Sequence, residues 1–170
     1  MRIGIPAETE PGETRVAATP DTVKKLTAGG RHAVIVENGA GIGASVTDEA
    51  FAAAGATLGC AADVYKSDIV FKVQRPQDSE LALLQRGSIL IGLLSPHIDV
   101  APLAATGVTA FAMELLPRIT RAQTMDVPSS QANIAGYKAV LIAAYEYGRF
   151  MPMLMTAAGT VKAARVLVLG

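Results

Sequence analysis

The sequence predicts an α/β protein whose sheet is doubly wound and mostly parallel. Short apolar runs alternate with short helical patterns along most of the 170 residues. The composition agrees, because 51% of the residues are hydrophobic while only 5% are aromatic, which is typical of a sheet covered by helices rich in small residues. We therefore expect a Rossmann-like or flavodoxin-like first lobe.

The N-terminal segment reads as a strand, a helix and a second strand. Residues 2–6 are predicted to form a short buried strand, and a polar loop follows it. Thr19-Pro20-Asp21 opens a helix, since Pro suits the first position and a carboxylate favours the N-terminal dipole, and Gly29-Gly30 closes it. Residues 32–37 form the next strand. A βαβ unit of this kind favours a parallel sheet.

A glycine-rich segment, Gly39-Ala40-Gly41-Ile42-Gly43-Ala44, formally fits a dinucleotide fingerprint. The acidic residue expected at the end of the next strand is poorly placed, because Asp63 lies inside a predicted helix. The next helix also begins only at Thr47, too late for the glycines to form its first turn. The pattern therefore favours a structural glycine loop.

The same alternation continues with shorter elements. Helices are predicted at residues 47–55, 61–66, 79–85 and 100–105, and strands at residues 68–73, 88–94 and 108–113. The last of these strands leads into a polar loop, residues 116–130. The loop is rich in donors and acceptors: Arg118, Arg121, Gln123, Asp126, Ser129 and Ser130. It suits a binding role, but spacing alone equally allows a surface turn whose charges pair with each other.

A long helix follows the polar loop. Ser129 or Ser130 can act as its N-cap, with Pro128 restricting the approach of the chain. Apolar residues then recur at spacings of three and four, so we expect one buried face on a mostly buried connecting helix of roughly 30 Å. The residues of that face are Ile134, Tyr137, Leu141 and Tyr145.

The C-terminal segment is predicted as a loop over residues 150–164 and an apolar β-run over residues 165–169, before Gly170. An apolar run followed by glycine is how a Rossmann domain begins. We therefore predict an N-terminal α/β lobe at residues 1–128, and a linker helix with the start of a truncated Rossmann domain at residues 129–170.

Charge and cysteine content exclude several classes of function. The 15 Lys and Arg residues equal the 15 Asp and Glu residues, which argues against a nucleic-acid partner. Cys60 has no disulfide partner, so a cytoplasmic, reducing compartment is expected. No apolar run reaches the ~18 residues of a membrane helix. His32 and His97 have no partner at metal-binding spacing, so no metal is expected.

The polar loop also carries a family resemblance. Residues 117–126, Pro-Arg-Ile-Thr-Arg-Ala-Gln-Thr-Met-Asp, followed by Ser129 and Ser130, resemble the Arg-Gln-Asp loop of the NAD(H)-binding component, domain I, of proton-translocating nicotinamide nucleotide transhydrogenases. Residues 1–6, 13–20, 71–76 and 155–159 agree with this resemblance, which covers the whole chain. The patches around Arg15 and Lys72 are shared with alanine dehydrogenases.

The resemblance implies both a reaction and a set of site residues. In that family the loop folds over NAD(H) held by another domain, and hydride passes to NADP(H) on a partner domain, coupled to proton translocation by a membrane domain. Arg118 and Ser129 would lie near the nicotinamide end, Gln123 would reach ribose hydroxyls, and Asp126 would lie near the ring. Gln123 and Asp126 are thus the candidate catalytic residues. A homodimer, peripheral to the membrane through its partner subunits, is also implied.

Two alternatives remain open. In alanine dehydrogenases the residues matching Arg15 and Lys72 bind the substrate, and a His completes the site; here Ser95 stands at the position of that His. Without an imidazole this chain has no obvious acid/base group for reducing an imine, so Arg15 and Lys72 are interpreted as structural ion-pair residues or minor cleft residues. The other alternative is a non-enzymatic lobe that mediates assembly or dimerisation.

Overall fold

Short apolar runs of the first 112 residues pair into one parallel sheet. The strands lie in the order β3-β2-β1-β4-β5-β6, and every neighbouring pair is parallel. This arrangement confirms the predicted α/β fold class. The three-residue β3 was not predicted, since so short a run shows no alternation. The strands are β1 (Arg2–Ile5), β2 (Ala33–Glu37), β3 (Thr57–Gly59), β4 (Ile69–Phe71), β5 (Ile89–Gly92) and β6 (Thr109–Ala112).

The computed structural model describes residues 1–169. Helices connect the strands of the sheet. Thr19 and Thr47 cap the first two helices, because each side chain accepts a hydrogen bond from a first-turn N–H. The predicted helix starts are therefore confirmed for both. The helices are α1 (Pro20–Thr27), α2 (Asp48–Ala53), α3 (Ala61–Tyr65), α4 (Asp78–Leu81), α5 (Ala101–Ala105) and α6 (Val127–Tyr147).

Two apolar clusters form the core around the six-stranded sheet. One centres on Ile5, Val36 and Phe51, which join β1 and β2 to α2. The other contains Tyr65 and Leu90, with leucines from α4 and α5. Burial of such side chains contributes about 1.5–3 kcal/mol each, so packing, rather than the intrinsic stability of such short helices, holds these elements in place.

The strand order reverses between β1 and β4. In open α/β sheets ligands bind at the carboxyl ends of the strands beside such a reversal. The residues immediately after β1 and β4 therefore mark the position where this fold would be expected to hold a ligand. This edge of the sheet, the carboxyl edge, is described in the next subsection.

Gly4 provides a test of the packing of α3 on β1. A Cβ at this position would lie 2.3 Å from the carbonyl oxygen of Val64. We expect Gly4→Ala to destabilise the fold by about 1–3 kcal/mol, because a backbone atom must move. Gly136→Ala is the matched control, since no atom other than the neighbouring backbone of its own helix lies within 4 Å of its Cβ position and alanine favours a helix. Equal melting temperatures for the two variants would contradict this packing.

The chain divides into two compact units, of which the second begins at Val127. The long helix α6 starts at the same residue, two positions before Ser129. Ser129 and Ser130 thus lie inside its first turn. The N-cap prediction for the two serines was wrong, because Pro128 is accepted in the first turn of a helix, where its missing N–H is not needed.

The side chains of α6 also differ from the prediction. The proposed buried face is exposed, with Tyr137 and Tyr145 at 70% and 84% relative accessibility. Its apolar residues lie on all sides of the helix rather than on one, and none of them is buried in the described residues. A helix that is apolar all round needs surrounding protein to bury it.

The segment after α6 contains a hairpin in place of the predicted loop. Antiparallel strands β7 (Leu154–Thr156) and β8 (Gly159–Val161) pair across a two-residue turn. Residues 165–169, predicted as a strand, pair with no strand in the described chain and are not in regular structure. A β-run becomes a strand only when a neighbour satisfies its backbone groups. Among the described helices, none is both long and apolar enough to cross a bilayer.

Candidate functional site

The carboxyl edge contains a buried ion-pair cluster around Lys72. Its ammonium group lies 2.7 Å from Glu80 Oε1 and 3.4 Å from Glu8 Oε2, and all three side chains are at least 93% buried. Glu8 also accepts the N–H groups of Val73 and Gln74, at 2.6 and 3.1 Å. The loop after β1 is thereby fastened to the end of β4, across the reversal of strand order.

Glu80 accepts several hydrogen bonds in this cluster. The Tyr65 hydroxyl donates to its Oε1 at 2.6 Å, and the Gln77 N–H donates to its Oε2 at 2.6 Å. Burial raises the pKa of Glu80, but the hydrogen bonds from Lys72, Tyr65 and Gln77 outweigh burial and lower the pKa below its usual value. Burial, together with the bond to Glu80, raises the pKa of Tyr65.

A second, shallower ion pair lies on the loop after β1. Glu13 accepts from the Arg15 guanidinium at 2.6 and 2.8 Å and from the Gln74 amide at 2.8 Å. The bonds from Arg15 hold the pKa of Glu13 at about 2, against the opposing effect of burial. Arg15 and Lys72 thus both lie in ion pairs, as the sequence interpretation favoured, and the carboxylates that engage them belong to the chain itself.

The Glu13 ion pair predicts an acid-sensitive contribution to stability. Because the pKa of Glu13 is lowered from 4.5 to about 2, its contribution is fully present above pH 4.5 and is lost as the pH falls towards 2. The difference in melting temperature between the wild type and Glu13→Gln should therefore shrink across that window. A difference that stays constant from pH 6 to about pH 2.5 would show that the pair does not act in this way.

In the turn after β5, Ser95 stands at the position where the resemblance to alanine dehydrogenases would place a histidine. This residue makes a polar contact instead. Ser95 has a left-handed φ of +48°, which is uncommon for a residue other than glycine. Its N–H donates to Glu114 Oε1 at 2.5 Å. His97 is exposed in the same turn. No group of three or more His, Cys, Asp or Glu residues suited to a metal is found in residues 1–169.

The glycine loop after β2 is closely packed against side-chain and backbone atoms of the chain itself. Gly39 N–H donates to both carboxylate oxygens of Asp48, at 2.9 and 3.1 Å. A Cβ on Gly41 would lie 2.6 Å from the Val46 carbonyl oxygen, and one on Gly43 would lie 2.9 Å from that of Thr14. Gly41 and Gly43 are therefore required by close packing, and a carboxylate already lies where a phosphate would have to bind.

The polar loop is partly helical rather than irregular. Residues Thr120–Met125 form a 3-10 helix, and within it only Ala122 is buried. Arg118 and Gln123 are exposed, and Asp126 is half-buried. Gln123 lies within the 3-10 helix, and Asp126 is the residue that caps its C-terminal end. The buried Ala122 anchors the loop at its centre, while Arg118 and Gln123 remain exposed.

The predicted site residues are distributed over both units. Arg118, Gln123 and Asp126 belong to the first unit, and exposed Ser129 lies in the first turn of α6 in the second. Sequence reasoning missed Glu80 and Glu114. A signal for Glu80 existed, because Lys72 in an apolar strand requires a buried counter-charge. Glu114 immediately follows an apolar run, which gives a weaker indication.

Comparisons with known proteins give consistent matches. The family model described as "Alanine dehydrogenase/PNT, N-terminal domain" matches residues 4–135. The first portion of the NAD(P) transhydrogenase α subunit of Rhodospirillum rubrum is 52% identical over the whole chain, which spans 47% of that relative. The alanine dehydrogenase of Mycobacterium tuberculosis is 36% identical, again over the whole chain.

A solved structure agrees with these sequence matches. The crystal structure of transhydrogenase from Sinorhizobium meliloti is 48% identical, with a TM-score of 0.92 over 96% of this chain and 50% of that one. This chain therefore spans about half the length of the Rhodospirillum relative and of the Sinorhizobium structure. Alanine dehydrogenase is the more distant relative by sequence identity.

Proposed function

The chain belongs to the alanine dehydrogenase/PNT N-terminal domain family, and from this premise we propose that it is the N-terminal portion of an NAD(P) transhydrogenase α subunit. The observation that carries the proposal is the likeness to a transhydrogenase structure over 96% of the chain. The polar loop, whose residues resemble those of transhydrogenases, supports the same proposal. The reaction is hydride transfer from NADH to NADP+, which gives NAD+ and NADPH.

In this proposal residues 1–128 form a lobe that holds the polar loop, and residues 129–170 lead into a Rossmann domain that binds NAD(H). Two features of the structure support it. The apolar side chains exposed on all sides of α6 require surrounding protein. The apolar residues 165–169 are unpaired in the described chain, as a first strand is before its neighbours are added.

The first lobe is not expected to hold a dinucleotide by itself. Glu8 lies at the reversal of strand order, where a ligand would bind. It already accepts hydrogen bonds from two backbone N–H groups and forms an ion pair with Lys72. A pyrophosphate placed there would meet a carboxylate rather than free donors. The lobe therefore acts on a nucleotide that another domain holds.

The polar loop supplies donors and acceptors around the nicotinamide in this proposal. Arg118 and Ser129 lie near the nicotinamide end, Gln123 bonds to ribose hydroxyls between the two nucleotides, and Asp126 lies beside the ring. The exposure of Arg118 and Gln123 suits this role, since both are available to a ligand. None of these side chains reacts; they position the two rings and exclude water.

The bound nucleotides supply the hydride chemistry, and the protein supplies the distance between them. NADP(H) is held by a partner domain that docks against the loop, and a separate membrane domain couples the transfer to proton translocation. The subunit forms a homodimer and lies on the cytoplasmic side, peripheral to the membrane through these partners.

Alanine dehydrogenase activity is less well supported by the site. Ser95 supplies no imidazole, and Lys72 is neutralised by Glu8 and Glu80 rather than free for a substrate carbonyl. With two carboxylates beside one ammonium group, the cluster is net negative, which disfavours the carboxylate of a 2-oxo acid.

Isothermal titration with NADH tests the assignment of the nucleotide to the second domain. We expect the full-length α subunit to bind NADH, and residues 1–170 alone to bind it at least a hundredfold more weakly, because the phosphate-binding loop is not in this segment. Equal affinities would contradict the assignment. The full-length protein should also fail to oxidise NADH with pyruvate; turnover of pyruvate would favour alanine dehydrogenase.

A further inference from the structure

The turn that follows β5 is held by charged side chains from both neighbouring strands. Arg75, which follows β4, donates through Nη2 to the carbonyl oxygen of Asp99. Glu114, which follows β6, accepts the Ser95 N–H on Oε1. Since β4, β5 and β6 are adjacent in the sheet, these contacts fix the turn at the carboxyl edge.

The backbone of this turn is strained at Ser95. Among residues 1–169, Ser95 and Ser45 are the residues other than glycine with positive φ, and Ser95 also precedes Pro96, which restricts its conformation further. Such conformations persist where surrounding contacts hold them, and they concentrate at ligand-binding sites. Glu114 makes the contact that holds Ser95.

Glu114 uses only one of its two carboxylate oxygens in this contact. Its Oε2 is buried and has no hydrogen-bond partner in the described chain. None of the ion pairs found in residues 1–169 includes Glu114. A buried carboxylate oxygen without a donor is unfavourable, so a donor from outside residues 1–169 would stabilise it.

We infer that Glu114 Oε2 accepts a hydrogen bond from the bound nicotinamide nucleotide, and that the donor is a neutral group, either the nicotinamide carboxamide N–H or a ribose hydroxyl. A phosphate is unsuitable, because it would bring negative charge against an unpaired carboxylate. Glu114 also lies only four residues before Arg118, at the start of the segment that carries the polar loop. The inference rests on the proposed function and adds a ligand-binding residue to its site.

Glu114→Gln in the assembled transhydrogenase tests the role of Oε2 separately from that of Oε1. Glutamine keeps a carbonyl oxygen for the Ser95 N–H but presents an amide N–H where Oε2 was. A carboxamide N–H would then meet a second donor, and a ribose hydroxyl would lose its charged acceptor. We expect the dissociation constant of NADH to rise about tenfold or more, as for the loss of one hydrogen bond to a charged group, with little change in melting temperature. Glu49→Gln, at an exposed carboxylate in α2, is the matched control and should bind NADH as the wild type does.

The 3-acetylpyridine analogue of NADH identifies the donor, because a methyl group replaces its amide nitrogen. If the carboxamide is the donor, Glu114→Gln and the wild type bind this analogue equally. If a ribose hydroxyl is the donor, Glu114→Gln weakens the analogue by the same factor as NADH. Either outcome supports the inference.

Unchanged NADH binding by Glu114→Gln would overturn the inference and would mean that water satisfies Oε2. Isothermal titration reports the competent fraction as its stoichiometry, so a partly unfolded variant still yields a dissociation constant. Failure of the proposed function is distinguishable, because the wild-type assembly would then transfer no hydride from NADH to NADP+.

Discussion

Replacing Gln123 with alanine in the assembled transhydrogenase is expected to slow hydride transfer from NADH to NADP+ about a hundredfold. The expectation follows from the proposed position of Gln123 between the two nucleotides. Transfer requires the two nicotinamide carbons at near contact, and a misplacement of about 1 Å costs about this factor. NADH affinity should change only severalfold, because most of the nucleotide is held by the other domain.

The structure indicates that the Gln123 side chain can be removed without displacing the loop. Gln123 is exposed, whereas its neighbour Ala122 is the buried anchor of the 3-10 helix, so truncating Gln123 should leave the loop in place. Gln85→Ala removes an exposed amide outside the loop and should retain the wild-type rate. An unchanged rate in Gln123→Ala, or a loss that saturating NADH fully restores, would remove Gln123 from the positioning role.

Replacing Lys72 with methionine is expected to destabilise the fold by about 3–5 kcal/mol. Methionine fills much of the same volume but leaves Glu8 and Glu80 buried without their shared cation. For a domain of this size the loss corresponds to a fall of roughly 10 °C in melting temperature. Lys25→Ala, at an exposed position in α1, should stay within about 0.5 kcal/mol of the wild type.

A double-mutant cycle separates the ion pair from simple loss of packing. Glu80→Gln in the Lys72→Met background removes the charge left unpaired at Glu80, so the double variant should be more stable than the sum of the two single changes predicts. The lowered pKa of Glu80 adds a check with pH. Its contribution is present above its unfolded pKa and is lost as the pH falls through the lower folded value. Strict additivity in the cycle would mean that Lys72 and Glu80 do not interact.

Much of the sheet could be predicted because its signals are local. β1 and β2 are apolar runs, and Thr19 and Thr47 begin helices through contacts within one turn. The glycine loop was also interpretable, since the late helix start at Thr47 ruled out its use as a phosphate loop. Such features depend only on residues that are close together along the chain, so a single sequence is enough to predict them.

The remainder depends on contacts between residues far apart in sequence. Glu8 and Lys72 meet only when β1 pairs with β4, and no spacing rule reveals that Glu80 completes the cluster. The left-handed conformation of Ser95 is held by a contact with Glu114, nineteen positions away. The exposure of α6 was mispredicted because an apolar pattern reports the need for burial, not whether the described chain supplies it.

Transfer of an isotopic label tests the central claim most directly. The assembled enzyme would be given NADH carrying deuterium on the transferable position of its nicotinamide C4, together with NADP+, in ordinary water. The account predicts that the deuterium appears on C4 of NADPH without exchange with solvent, since the two rings meet directly. Label lost to water, or NADPH formed without deuterium, would contradict direct transfer beneath the polar loop.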